Sequence, residues 1–338
     1  MSSLGRGMAL AGTIGVWLSA AAQDIHFSQF FHTPLATAPG AIGQFDGEHR
    51  VSAVYRQQWR SVTRPFSTFG LSGDMANAFG NSGLGLGAWL YNDRTGDSRL
   101  NTFHFSAGGS YGRPFGPGKR HELSLGVQFG LTTIAIKSAE LQFDAQYNGF
   151  YFDPSLPNGE LFQQASLVHP DLHAGIRYGY RISQRENVEV GLSFFNLTRP
   201  PIGFLGSPPQ PLDIRSTFFV STSFPVAEKL DLLPMVQYMA QGQFQELILG
   251  TSLRYVLLQR YDLFRALRVG GYWRAADAGY VYAGLEYDQW TAGISYDVNV
   301  SDLVPASRNR GGVEFTLIRM FSKRRGLPVR FKACPEQL

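Results

Sequence analysis

The histidines and their neighbours are the first places in this chain where side chains could do chemistry. His104 and Ser106 lie two residues apart, a pairing that would suit a hydrolase, because a serine nucleophile needs an imidazole base and a third group to orient that base. No third member accompanies them, and sharing one strand face explains the spacing equally well. His169, Asp171 and His173 repeat at intervals of two. These are acceptable metal ligands, but on an extended strand they stand roughly 7 Å apart, too far to close on one ion. Both groups therefore read as polar residues of an interior face. No glycine-rich loop follows a strand to open a helix, and the sequence points to a non-enzymatic protein without metal or cofactor. The single cysteine, Cys334, excludes an intrachain disulfide and is assigned no role.

A second group consists of charges: Arg56, Arg268, Arg274, Glu286, Asp288, Asp297 and Glu314. All fall on the polar side of alternating segments. We expect them to form an ion-pair band across neighbouring strands that braces a barrel seam and narrows the lumen; the competing reading leaves them solvated in an open pore. A third group is His26-Phe27-Ser28-Gln29-Phe30, followed by Phe31. Three phenylalanines so close together are costly to leave in water, so this stretch is expected to pack, either occluding the periplasmic mouth of a barrel or docked on a partner.

The elements that would position these residues are strands. Segments of about ten residues alternate apolar and polar side chains, the period-two signature of a strand with two different environments. Val281, Ala283, Leu285 and Tyr287 oppose Tyr282, Gly284, Glu286 and Asp288; Ala292, Ile294, Tyr296 and Val298 oppose Gly293, Ser295, Asp297 and Asn299. Fourteen such strands are expected near 49–59, 67–77, 82–92, 100–112, 121–137, 169–181, 186–196, 213–224, 230–240, 244–257, 265–275, 278–289, 291–300 and 310–321. Strands in a soluble sandwich are shorter and have a polar outer face. Ten-residue strands whose polar face is rich in Gly, Ser and Thr suit a tilted crossing of a bilayer around a polar lumen. The fold class is therefore an all-β outer-membrane barrel of about fourteen antiparallel strands. Trp59, Trp89, Tyr91, Tyr272, Trp273, Tyr287 and Trp290 are expected in its interfacial girdles.

Composition agrees with this and removes other classes. Charged residues make up 17% of the 338-residue chain, below the roughly 25% usual for soluble domains. Its net charge of +4 is dispersed apart from Lys323-Arg324-Arg325, which excludes a nucleic-acid interface. Residues 1–22 read as a signal peptide, with Arg6, an apolar stretch from Gly7 to Ser19, and cleavage after Ala22. Residues 23–47 lack alternation and are expected as a periplasmic, plug-like segment, residues 48–321 as the barrel, and residues 322–338 as a basic tail. Two loops interrupt the rhythm: 138–166, with Asp153 and Pro154, and 198–211, stiffened by Pro200, Pro201, Pro208, Pro209 and Pro211.

Several of these residues also form motifs. Gln23-Asp24-Ile25-His26-Phe27-Ser28-Gln29-Phe30 with Pro34, Tyr55-Arg56-Gln57-Gln58-Trp59 and Pro65-Phe66-Ser67 open the chain. Gln146, Asp153-Pro154-Ser155-Leu156-Pro157 and Pro170-Asp171-Leu172 with Gly175 follow. Ser295-Tyr296-Asp297-Val298-Asn299-Val300-Ser301, Arg310-Gly311-Gly312-Val313-Glu314 and Cys334-Pro335 close it. Together they resemble the PorP/SprF family of type IX secretion outer-membrane proteins over essentially the whole chain. The resemblance implies a Bacteroidota outer-membrane component that supports secretion and surface display of proteins with C-terminal sorting domains, some of them gliding-motility adhesins. It implies outer-membrane lipid as surroundings, and as partners other type IX components, in the periplasmic ring or among lipoproteins, or the sorting domain of a secreted adhesin. The alternative is a porin-like channel for small solutes.

Overall fold

The lipid-facing side chains set the architecture. The computed structural model describes residues 25–322 except 59, 61–63, 81, 97–99, 138–140, 161, 184, 206–207, 261–262 and 301–308. The expected signal peptide, Trp59, the tail beyond residue 322 and Cys334 therefore lie outside the described residues. In the strand His121–Ala135, Leu125, Val127, Phe129 and Leu131 point outward and are exposed, while Ser124, Gln128 and Thr132 between them are buried inside. Phe129 is 68% exposed. Repeated around the molecule, this inverted pattern is what a bilayer requires of a barrel wall.

Fourteen strands among the described residues form one closed antiparallel barrel. They are β1 (His49–Gln58), β2 (Phe66–Met75), β3 (Leu84–Thr95), β4 (Leu100–Phe115), β5 (His121–Ala135), β6 (Ser166–Arg181), β7 (Asn187–Phe195), β8 (Arg215–Ala227), β9 (Leu230–Gln241), β10 (Phe244–Arg260), β11 (Leu263–Arg274), β12 (Ala278–Tyr287), β13 (Trp290–Asn299) and β14 (Arg310–Phe321). Neighbours in sequence pair throughout, and β1 closes on β14 with Arg56 opposite Glu314. Closure leaves no open edge. No helix among the described residues is long and apolar enough to cross a membrane.

The two rims differ. One carries the short connections, including 228–229 and 288–289; the other carries the long loops 136–165 and 196–214. The loops touch each other: Phe162 bridges Leu205, and the Gln163 N–H donates to the Phe204 carbonyl at 3.0 Å. Within 198–211, Pro201 pairs with Pro211 and Ile202 with Gln210. Pro200 is buried, and its carbonyl accepts from the Leu212 N–H at 2.9 Å.

Strand phase corrects three girdle assignments. Trp89, Tyr91 and Tyr272 point into the lumen, whereas Trp273, Tyr287 and Trp290 face outward. Trp89 stands in register with Ser72 and Ser106 of the neighbouring strands, both buried, and finds apolar cover inside from Phe27, with ring centroids 6.0 Å apart. Asp288 is a fourth correction. β12 ends at Tyr287, and Asp288 turns the chain with φ of 55°, so its carboxylate meets Arg265 at 3.2 Å at the rim.

Phe129 lies near the middle of β5, so Phe129→Arg is expected to destabilise the folded barrel by about 2–4 kcal/mol. Denaturant titration of the chain folded into phospholipid vesicles would measure this, with a rim substitution as reference.

Candidate functional site

A fourteen-stranded barrel is wider than its inward side chains can fill, and here the chain supplies the filling from its own start. Residues 25–48 lie inside the lumen as a series of short turns: Phe30–His32, Pro34–Thr37 and Pro39–Ala41. The run begins near the long-loop rim, where Ile25 and His26 share a cavity wall with Gln58 and Phe66. It ends at the short-turn rim, where the Glu48 N–H donates to the Phe321 carbonyl at 2.7 Å. Turns of this kind leave backbone groups without helix or sheet partners, and buried against the wall they need partners from the protein.

Small polar side chains of the wall supply the partners. Ser52 Oγ donates to the His32 carbonyl at 3.1 Å, Ser110 Oγ to Ile42 at 2.6 Å, Ser124 Oγ to Gly40 at 2.7 Å, and Gln128 Nε2 to Leu35 at 3.2 Å. The Gly43 N–H donates to Asp74 Oδ2 at 2.8 Å. Close approach needs missing side chains as well: a Cβ on Gly126 would stand 2.1 Å from the Pro39 carbonyl oxygen. Sequence reasoning missed this track of Gly, Ser and Gln, whose signal was present only as the small polar face of β4 and β5.

The tightest anchor lies at Ser28 and Gln29, both wholly buried. Glu314 accepts the backbone N–H of Ser28 on one oxygen and of Gln29 on the other, each at 2.8 Å. Ser28 Oγ donates to Asp297 at 2.9 Å and accepts from Arg274 at 2.8 Å, and Tyr280 OH donates to the Ser28 carbonyl at 2.7 Å. Gln29 Nε2 donates to Ser295 Oγ at 3.1 Å and to the Glu314 carbonyl at 2.9 Å; Thr316 donates to Gln29 Oε1 at 2.7 Å. Arg56 lies 3.2 Å from Asp297 and 3.7 Å from Glu314, and donates to the His26 carbonyl. Arg274 lies 3.4 Å from Asp297, 3.6 Å from Glu246 and 2.9 Å from Asp277. Charges buried together in this way are strongly coupled, and removing one partner costs far more than the pair contributes net.

Of the charges singled out in the sequence, the structure thus brings Arg56, Arg274, Asp297 and Glu314 together around Ser28. Arg268 stands apart from this cluster, bonded to Ser252 Oγ at 2.6 Å with its guanidinium 4.5 Å from the Phe31 ring. Glu286 lies 3.8 Å from Arg254, and Asp288 is at the rim. The phenylalanines divide between two apolar clusters. Phe27 joins Leu35, Ile42, Val54 and Trp89; Phe30 joins Met235, Ile248, Tyr272, Tyr280 and Tyr282. His26 faces Glu246 at 3.5 Å.

The histidines with possible chemistry meet above this anchor. His104 Nδ1 sits 2.7 Å from Thr132 Oγ1 rather than on Ser106, and Thr132 donates to Asp171. His169 Nδ1 lies 2.9 Å from Asp171, while His173 Nδ1 accepts from the Asn196 N–H at 3.1 Å. No three His, Cys, Asp or Glu among the described residues are placed to hold a metal. In the long loop, Asp153 accepts from the Ser155 hydroxyl at 2.6 Å and N–H at 2.9 Å, bonds that hold its carboxyl below the usual range, ahead of Pro154 at the turn.

The family model of the type IX secretion system membrane protein PorP/SprF matches residues 19–318. The chain belongs to the PorP/SprF family. Membership implies association with other type IX secretion components. No curated protein matches the chain. Among solved structures it is similar to the CymD monoaromatic hydrocarbon channel, with TM-score 0.50 at 8% identity over 87% of this chain and 94% of that one. Also similar are the toluene transporters TbuX of Ralstonia pickettii, with TM-score 0.49 at 9% identity over 86% and 94%, and TodX of Pseudomonas putida, with TM-score 0.49 at 9% identity over 85% and 92%. At such identity the likeness to CymD is one of fold. A PorP/SprF barrel and a hydrocarbon channel thus share a wall, and the site must be read from its residues.

Glu314→Ala strands two buried N–H groups and part of Arg56. It is expected to weaken docking of the N-terminal segment by about 3–5 kcal/mol, seen in planar bilayers as frequent openings in a protein otherwise of low conductance. Asp288→Asn, at the rim, is expected to leave conductance unchanged. Gly126→Val, which displaces Pro39, is expected to open the protein as Glu314→Ala does.

Proposed function

We propose that this protein serves type IX secretion as a non-enzymatic outer-membrane component that works through its rims rather than through its lumen, supporting secretion and surface display of proteins with C-terminal sorting domains, gliding adhesins among them. The observation that carries this reading is the lumen occupied by residues 25–48 and locked at Ser28 and Gln29 by Glu314, Asp297 and Arg274. A locked lumen leaves the rims as the surfaces on which partners can act.

The long-loop rim is suited to an extracellular cargo domain. Outer-membrane barrels carry their longer loops outside and short turns in the periplasm. Loops 136–165 and 196–214 are tied together, so a shaped surface is held ready and little chain entropy is lost on binding. It presents Tyr147, Phe150 and Tyr151, the second of them 89% exposed, and aromatic side chains of this kind are the usual anchors of protein interfaces. The short-turn rim faces periplasmic ring or lipoprotein components. This reading places the protein in the outer membrane of a Bacteroidota cell after cleavage near Ala22.

The channel reading draws on a cavity of about 490 Å³ beside the N-terminal segment. The buried anchor weighs against free passage, since a solute would have to break it.

Affinity purification of the intact protein from its native outer membrane is expected to recover a sorting-domain protein or another type IX component, and deletion is expected to abolish surface display. Replacing Tyr147, Phe150 and Tyr151 together with Ser is expected to reduce recovery of the sorting-domain cargo at least about tenfold while heat-modifiable migration persists. Undiminished display in the deletion strain would overturn the proposal.

A further inference from the structure

The lumen keeps one space that its own chain does not fill. The cavity of about 490 Å³ lies between the N-terminal segment and the wall formed by β2 to β8, toward the long-loop rim. Its volume falls in the roughly 300–1,000 Å³ range of small-molecule sites. Trp89, Tyr91 and Phe195 supply flat apolar walls, and Leu35 of the N-terminal segment closes the space from within.

The polar side of the cavity is built for one kind of group. Ser106 and His169 both line it, and both are more than nine-tenths buried. Ser106 Oγ and His169 Nε2 have no hydrogen-bond partner within the protein, whereas buried polar atoms are nearly always paired. His169 Nδ1 stands 2.9 Å from the Asp171 carboxylate but makes no hydrogen bond to it, so neither ring nitrogen of His169 has its proton fixed by a partner. His169 Nε2 therefore donates in one tautomer and accepts in the other, and the Ser106 hydroxyl can do either. Asp93 and Arg215 both line the cavity, one charge of each sign, so a carboxylate or an ammonium would each meet a like charge there and a neutral group is favoured. A hydroxyl satisfies either atom.

We propose that this cavity is a binding site for a flat, largely apolar molecule bearing a hydroxyl group, its ring against Trp89 and Tyr91 and its hydroxyl toward His169 and Ser106. The site stands independently of the secretion reading, because cargo recognition at the rim requires no occupant here.

The test uses the full chain in lipid nanodiscs, with 2-naphthol as probe and naphthalene as its hydroxyl-free control, following tryptophan emission. A saturable change is expected with 2-naphthol, lost in Trp89→Phe, with naphthalene binding about tenfold more weakly. Ser106→Ala and His169→Leu are each expected to weaken 2-naphthol several-fold and to narrow its advantage over naphthalene. Heat-modifiable migration shows whether each variant has folded; should one fail to fold, the comparison of the two probes on the unsubstituted chain decides. Absence of a saturable response, equal binding of the two probes, or a response that survives Trp89→Phe overturns the proposal and leaves the cavity to solvent.

Discussion

Backbone that is neither helix nor sheet can lie at membrane depth only where protein groups or lumen water satisfy its N–H and C=O groups, and buried backbone must rely on the protein. Every notable feature of this lumen follows from that constraint. The wall places Ser52, Ser110, Ser124 and Gln128 beneath carbonyls of the N-terminal segment, Asp74 beneath the Gly43 N–H, and Glu314 beneath two adjacent N–H groups. The small polar face inside the barrel is therefore a template for one particular stretch of chain. The ionic cluster serves the same end, because Arg56 and Arg274 hold the carboxylates of Asp297 and Glu314 within reach of Ser28 and Gln29.

The barrel was largely legible because the signal is local. Alternation of period two reports the two environments of each strand, and ten residues are enough to show it; fourteen strands follow with ends shifted by a few residues. Legibility failed where the letters kept alternating after the geometry had changed. Asp288 continues the polar series of β12 by spacing, but the strand has already ended at Tyr287. Trp89, Tyr91 and Tyr272 failed for another reason. An aromatic residue near a strand end suits a lipid interface, and only its phase against buried neighbours such as Ser72 and Ser106 shows that it points inward.

The site was less legible because its contacts are long-range. Residue types said that Phe27, Phe30 and Phe31 need cover, but no spacing in the sequence couples Phe27 to Trp89 or Phe30 to Tyr280. The inward charges could be read as a group, yet that four of them would converge on Ser28 while Arg268 and Glu286 found other partners depends on where the N-terminal segment lies. Ser106 and His169 likewise emerge as a pair only once β4 and β6 face a common space.

The bond between Ser28 and Glu314 spans 286 residues. The opening turns thus depend on a strand that is the last of the barrel in chain order, and the entropy of closing so long a loop must be met before that contact can form. Until β14 is in place, Ser28 and Gln29 lack the Glu314 and Thr316 side chains that hold them. Completion of the seam and of the Ser28–Gln29 anchor therefore draws on the same strand, and a chain truncated before residue 314 would lose that anchor together with its closure.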